Sequence, residues 1–314
     1  MRRALAGLLG CFALALGCAP QSPVAELERQ AAAQRAGFEA AFAESLKLAQ
    51  AGDVEAMRVT GQMYAIGTGT RVDHAEALRW YRAAAERGDA ESAYRLGVMI
   101  DFGVGATADP AEALRWIRTA AEGGYANAQR QLADMLAQGR GAAKDDAEAS
   151  RWYLAAAQQG EPAAMSAIAQ RLDGGIGIAA NPTEALRWYR EAAERGSAID
   201  QYQLGFHHDM GIGTREDDYE AIAWYRRAAE AGSSDAQYAL GTLHAETKGA
   251  LRDPVEACRW LEIASRDGHP SARRALIAVE RQLDVRGLDD CHRLADDWLQ
   301  RHGKRATPPP PPSR

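Results

Sequence analysis

Four cysteines, seven histidines and 43 acidic residues are the groups of this 314-residue chain that could do chemistry. The densest cluster is His207-His208-Asp209, and His244 follows His208 by 36 positions. Imidazoles brought together across two helices would suit a bridging metal ion. The paired acids Asp145-Asp146 and Asp217-Asp218 would suit general acid–base work. Short Gly-x-Gly segments such as Gly175-Ile176-Gly177 would suit a phosphate cradle, but they lack the preceding strand and third glycine such a loop needs. No Gly-x-Ser-x-Gly nucleophile motif is present. Whether any of these groups can act depends on the elements that hold them.

Those elements repeat. Trp80, Trp116, Trp152, Trp188, Trp224 and Trp260 stand 36 residues apart, as do Gly88, Gly124, Gly160, Gly196, Gly232 and Gly268. Ala77, Ala113, Ala149, Ala185, Ala221 and Ala257 keep the same interval, so residues 53–268 form six unbroken units. Each unit predicts two helices. The second begins at Asp73, Asp109, Asp145, Asn181, Asp217 or Asp253, all good N-caps, with a glutamate three residues later at capping-box spacing. Pro110, Pro182 and Pro254 fit the first helical position, and the glycine column ends the helix in a left-handed turn. The first helix carries a small residue at its centre: Gly61, Gly97, Ala133, Ala169, Gly205 or Gly241. Glycine there disfavours helix, so its recurrence predicts close helix–helix approach.

The repeat dissolves most of the candidate chemistry. One acid of each pair is an N-cap, and the Gly-x-Gly loops recur as turns. His208 and His244 occupy a column that holds Tyr64, Ile100, Leu136 and Leu172 elsewhere, so packed histidines compete with a metal bridge and are preferred. No catalytic residue, metal or cofactor is assigned.

Leu204-Gly205, Gly211-x-Gly213, Asp217, Ala221, Trp224-Tyr225, Ala228-Ala229 and Gly232 resemble the Sel1-like repeat, a relative of the tetratricopeptide repeat. The resemblance covers about 216 residues and implies an all-α solenoid of six helix-turn-helix repeats with helical caps. It divides the chain into a signal peptide (1–18), a linker and capping helix (19–52), the repeats (53–268), C-terminal capping helices (269–303) and a proline-rich tail (304–314). Ser271–Leu283 is expected as a seventh first helix and Leu288–Arg301 as the closing one. Stacking should bury each tryptophan of the column.

In solenoids of this kind the first helices line the concave face. Two columns should point there: Arg58, Tyr94, Arg130, Ser166, Tyr202 and Tyr238, and Gln62, Val98, Asp134, Gln170, Phe206 and Thr242. Tyrosine and arginine are the residue types enriched in binding hot spots. Arg58, Tyr94, Val98, Arg130, Gln170, Tyr202, Phe206 and Tyr238 are the partner-binding candidates, led by Tyr202 with Phe206.

The net charge is −6, and loss of residues 1–18 removes Arg2 and Arg3 to leave −8, which disfavours a nucleic-acid partner. Arg2-Arg3, an apolar run too short to span a bilayer, and Ala15-Leu16-Gly17-Cys18 resemble a bacterial lipoprotein signal, with Cys18 lipidated. The alternative is ordinary cleavage near Ala13-Leu14-Ala15. By the family sorting rule, Ala19 after Cys18 implies the outer membrane, facing the periplasm. Export to an oxidising compartment would let Cys258 and Cys291 form a disulfide; two buried thiols are the alternative. The expected function is a non-enzymatic envelope adaptor that binds a protein or peptide. A structural role in an envelope or polysaccharide-export assembly is the alternative. A β-lactam or cell-wall enzyme is disfavoured, because relatives credited with that activity carry a cysteine pair in every repeat.

Overall fold

The structure, a computed structural model, describes residues 23–246 and 251–302. The signal segment with Cys18, residues 247–250 and the proline-rich tail lie outside the described residues. Those described form fifteen α-helices and no strand, grouped in two compact units, residues 1–87 and 88–314. The architecture is the α-solenoid class expected from the repeat.

The first unit holds α1 (Pro23–Gln50), α2 (Val54–Ile66) and α3 (His74–Ala85). The second holds α4 (Ala90–Phe102), α5 (Pro110–Glu122), α6 (Ala126–Gln138), α7 (Asp146–Gln158), α8 (Pro162–Gly174) and α9 (Pro182–Glu194). It continues with α10 (Ala198–Met210), α11 (Asp218–Glu230), α12 (Ser234–Glu246), α13 (Pro254–Arg266), α14 (Ala272–Glu280) and α15 (Val285–Arg301). The hairpins are α2–α3, α4–α5, α6–α7, α8–α9, α10–α11 and α12–α13.

Each hairpin is closed by its caps. The side chain of Asp73, Asp109, Asp145, Asn181, Asp217 or Asp253 accepts from the backbone N–H three residues on. The reciprocal half of the expected capping box is absent. The cap residue's own N–H is already donated to the first helix: Asp145 N to Leu136 O at 3.0 Å, Asn181 N to Leu172 O at 2.8 Å, Asp217 N to His208 O at 2.8 Å. The glutamate is thereby free for another donor. Glu148 accepts from Trp152 Nε1 at 3.1 Å, Glu220 from Trp224 at 3.1 Å and Glu256 from Trp260 at 3.0 Å.

The small central column permits close approach as predicted. A Cβ on Gly205 would stand 2.7 Å from the Tyr225 ring, and one on Gly97 would stand 2.6 Å from Ile117. The Gly-x-Gly turns join neighbouring repeats. Gly177 has φ +67°, and a Cβ there would lie 2.0 Å from the Asp146 carbonyl oxygen of the preceding repeat. Those glycines serve backbone contact, not ligand binding.

The tryptophan column departs from expectation. Trp80, Trp188, Trp224 and Trp260 are buried, but Trp116 and Trp152 are only half-buried. Over each of the four buried indoles lies an arginine: Arg79 at 4.7 Å, Arg187 at 4.8 Å, Arg227 at 4.4 Å and Arg259 at 4.6 Å from the ring centroid. Among the described residues no arginine covers Trp116 or Trp152 in that way. The deepest aromatic column is the next residue along. Tyr81, Tyr189 and Tyr225 are 1–2 % exposed and pack over the small residues of the first helix.

The closing helices also differ in extent from expectation. α14 is shorter than a first helix of the repeats, because Arg281 ends it, and α15 starts at Val285, where Asp284 caps it. Trp298 on α15 packs edge-on against Trp260, 5.9 Å between centroids.

Candidate partner-binding surface

The predicted surface residues sit on the first helices, and most of them are half-buried. The first column is a set of rungs to the next repeat. The Tyr94 ring lies 5.2 Å from that of Tyr125, Arg130 Nε lies 3.5 Å from Glu161, and Ser166 Oγ donates to Asp200 at 2.5 Å. Tyr238 stacks on His269 at 4.3 Å. Much of each side chain is therefore engaged in joining repeats, and the remainder is what a partner could touch. Arg58, in the first unit, pairs with Glu55 at 3.5 Å. Val98 is half-buried and Gln170 is exposed.

Tyr202 and Phe206 are brought together. Both lie on α10, one turn apart, against the core cluster of Tyr225, Leu240, Trp260 and Trp298. The Tyr202 ring is 5.6 Å from that of Tyr225. Burial, with Asp235 and Asp209 nearby, raises the Tyr202 phenol above its ordinary range, so it remains a neutral donor.

Acids on the same helices have a role that the sequence alone did not reveal. Asp134 accepts from the phenol of Tyr153, Asp173 from Tyr189 at 3.3 Å and Asp209 from Tyr225 at 3.1 Å. The signal was present: every Trp-Tyr pair puts a phenol in the core, and a buried hydroxyl needs an acceptor. Most of these acids also have a cationic or imidazole partner. Asp101 pairs with Arg140, Asp134 with Arg130, and Asp173 with His207 at 2.8 Å. Asp209 differs. Its only hydrogen-bond partner among the described residues is Tyr225, and burial with Asp218, Glu216 and Glu246 around it raises its pKa above the usual carboxylate range. Tyr202, Phe206 and Asp209 thus offer aromatic surface beside an uncompensated carboxylate, which suits a cationic group carried on an apolar segment.

The histidines are packed. His207 is 1 % exposed, held between Ile212 O and Asp173. His208 faces Arg190 at 3.3 Å and His244 faces Arg226 at 3.5 Å, an arrangement that opposes a cation between them. Burial lowers the His208 pKa. Cys258 and Cys291 are joined as a disulfide, with Cα atoms 5.7 Å apart, linking α13 to α15.

Comparison with known families decides what this array is. The Sel1 repeat model matches residues 54–89, 90–125, 126–161, 162–197, 198–233 and 234–269. The chain belongs to the Sel1 repeat family. Among solved structures, the Sel1-like protein c5321, a protective antigen present in uropathogenic Escherichia coli strains, is similar at 26 % identity and TM-score 0.66. That match covers 88 % of this chain and 62 % of the other, so the chain spans less than two thirds of that relative. A Sel1 repeat protein from Oxalobacter formigenes is similar at 30 % identity and TM-score 0.60, over 68 % of this chain and 88 % of that one. No curated protein matches the chain. Sel1 repeat proteins are generally protein-interaction scaffolds, and the fold is typically non-enzymatic.

Proposed function

We propose that this Sel1 repeat chain is a non-catalytic adaptor of the bacterial envelope, lipid-anchored through Cys18 in the outer membrane and facing the periplasm. Its partner is a protein or peptide held on the first-helix face around Tyr202 and Phe206, with a cationic side chain directed to Asp209. The observation that carries this reading is the pairing of half-exposed aromatics with a carboxylate whose one hydrogen-bond partner among the described residues is a tyrosine. The two other aspartates of that column already have a nitrogen partner: Asp101 meets Arg140 and Asp173 meets His207.

The reading is tested by crosslinking the full chain in its native membrane, identifying the captured protein and measuring its affinity. Replacing both Tyr202 and Phe206 by alanine should weaken that affinity by about tenfold or more, the scale of hot-spot loss. Unchanged affinity would place the partner elsewhere. The anchor is tested separately by mass spectrometry of the mature N-terminus: a lipidated Cys18 is expected, and an unmodified peptide beginning before it would rule the anchor out.

A further inference from the structure

The C-terminal end of the array contains a side-chain set that neither the repeat pattern nor the proposed function accounts for. Glu262 lies on α13 and is 2 % exposed. Its column holds Arg82, Arg118, Leu154, Arg190 and Arg226 in the other repeats, so an acid here is a departure. A buried carboxylate is costly unless it is paired. One oxygen, Oε1, is paired with Arg266, which also binds Asp296. The other, Oε2, is met by residues of α15. His292 Nδ1 stands 2.8 Å from it and Cys291 Sγ 3.7 Å. Glu262, Cys291 and His292 each present one ligand atom, all within 4.8 Å of one another. Cys258 is bonded to Cys291 and precedes Glu262 by one helical turn on the same helix.

Four donors therefore converge, two from each helix: Cys258 and Glu262 on α13, Cys291 and His292 on α15. Two sulfurs, one imidazole nitrogen and one carboxylate oxygen form a tetrahedral donor set of the kind that selects zinc. We propose that reduction of the Cys258–Cys291 disulfide converts this corner into a zinc site with those four ligands. The disulfide and the metal are then alternative clamps on the same pair of helices. Arg266, holding the non-ligating oxygen of Glu262, fixes the carboxylate's orientation as an outer partner does in metal sites. The charges suit the ion. Two thiolates and one carboxylate, set against a dication and the Arg266 guanidinium, leave the buried groups neutral, with the half-exposed Asp296 adding one negative charge at the rim.

The chemistry balances with a dithiol reductant. Two successive thiol–disulfide exchanges break the Cys258–Cys291 bond, and the reductant's two sulfurs become joined in its place. The two electrons and two protons it gives up reside as S–H groups on Cys258 and Cys291. Zinc then displaces those two protons to solvent, because only thiolates ligate it. The sulfurs separate as the bond opens, each taking up a Zn–S distance of about 2.3 Å, and the imidazole lies at about 2.0 Å.

The test uses the full-length chain in oxidised and dithiol-reduced form, each titrated with cobalt(II) as the spectroscopic stand-in for zinc. The reduced chain should take up one cobalt per chain, with a thiolate-to-cobalt charge-transfer band and the ligand-field bands of a tetrahedral ion. The oxidised chain should show neither, and zinc should displace the cobalt. His292→Ala should weaken binding by about tenfold or more, as should Glu262→Gln. His292 is the safer variant, because its side chain is 42 % exposed and its loss removes little packing. Absence of the charge-transfer band in the reduced chain would overturn the proposal. So would equal cobalt affinity in wild type and His292→Ala, which would mean adventitious binding by two thiols alone.

Discussion

At the N-terminal end, α1 continues for 15 residues before Phe38, the position that corresponds to the start of α3 one repeat later. It leaves Leu27 64 % and Phe38 49 % exposed. Glu44 stands at the tryptophan position, so no indole is supplied. At the C-terminal end, α15 buries Trp298 on Trp260, places Ala295 and Leu299 in the same core, and is tied to α13 by a disulfide. The contrast shows that one repeat can be finished in two ways. The first unit uses a helix that copies the repeat's backbone position without its aromatic. The second uses a helix outside the register that brings its own aromatic and a covalent link.

If that contrast is energetic as well as geometric, substitutions at the two ends should differ sharply. Trp298→Ala should cost about 3–5 kcal/mol, measured by urea unfolding, because it opens a cavity in a closed core. Phe38→Ala at the other end should stay near 1 kcal/mol or below. Equal costs would erase the distinction. Loss of the disulfide in Cys258→Ala with Cys291→Ala should cost about 3–4 kcal/mol by the loop-closure estimate, read in the same assay without metal. A smaller loss would mean that packing of α15, not the covalent link, closes this end.

The middle repeats sharpen the comparison further. Trp188→Ala should cost about 3–5 kcal/mol, and Trp152→Ala about 1 kcal/mol less, since Trp152 is already partly solvated. The smallest effect concerns pH. Folding raises the Asp209 pKa above its unfolded value, so across the interval between them the folded state binds more protons. The resulting penalty is absent below the ordinary carboxylate pKa and complete once pH exceeds the raised one. Asp209→Asn keeps an acceptor for Tyr225 and removes that penalty. Its stability should therefore fall less than wild type's between about pH 4 and pH 7, followed by unfolding midpoints. A parallel fall in both proteins would mean Asp209 titrates as an ordinary exposed carboxyl.

The repeat, its two helices, their caps and the small central column were legible in the sequence because each is a local requirement repeated six times. Asp145 must cap, Gly160 must turn left-handed, and Gly205 must admit Tyr225, whatever lies beyond. Coverage was not legible. Trp152 and Trp188 occupy identical places in the pattern, yet Arg187 lies over the Trp188 ring and, among the described residues, no arginine lies over Trp152 in that way. The residues of the candidate surface lie on the first helices, but their tyrosine column gave no sign of how much of each ring the next repeat takes up. The acids beneath it were visible as aspartates following the central small residue, yet they gain meaning only once the phenols of Tyr189 and Tyr225 are seen to need acceptors. Glu262 was the clearest overlooked signal: an acid in an arginine column, on the helix that also carries Cys258.

The N-cap geometry has a consequence for how such chains change over generations. Because the second helix's cap residue gives its N–H to the first helix of the same hairpin, and its side chain accepts from its own helix, the cap is completed within one unit. A duplicated or deleted block of 36 residues therefore carries its own cap with it. Array length can therefore drift while each block stays intact, and selection can set the reach of the molecule by copy number alone.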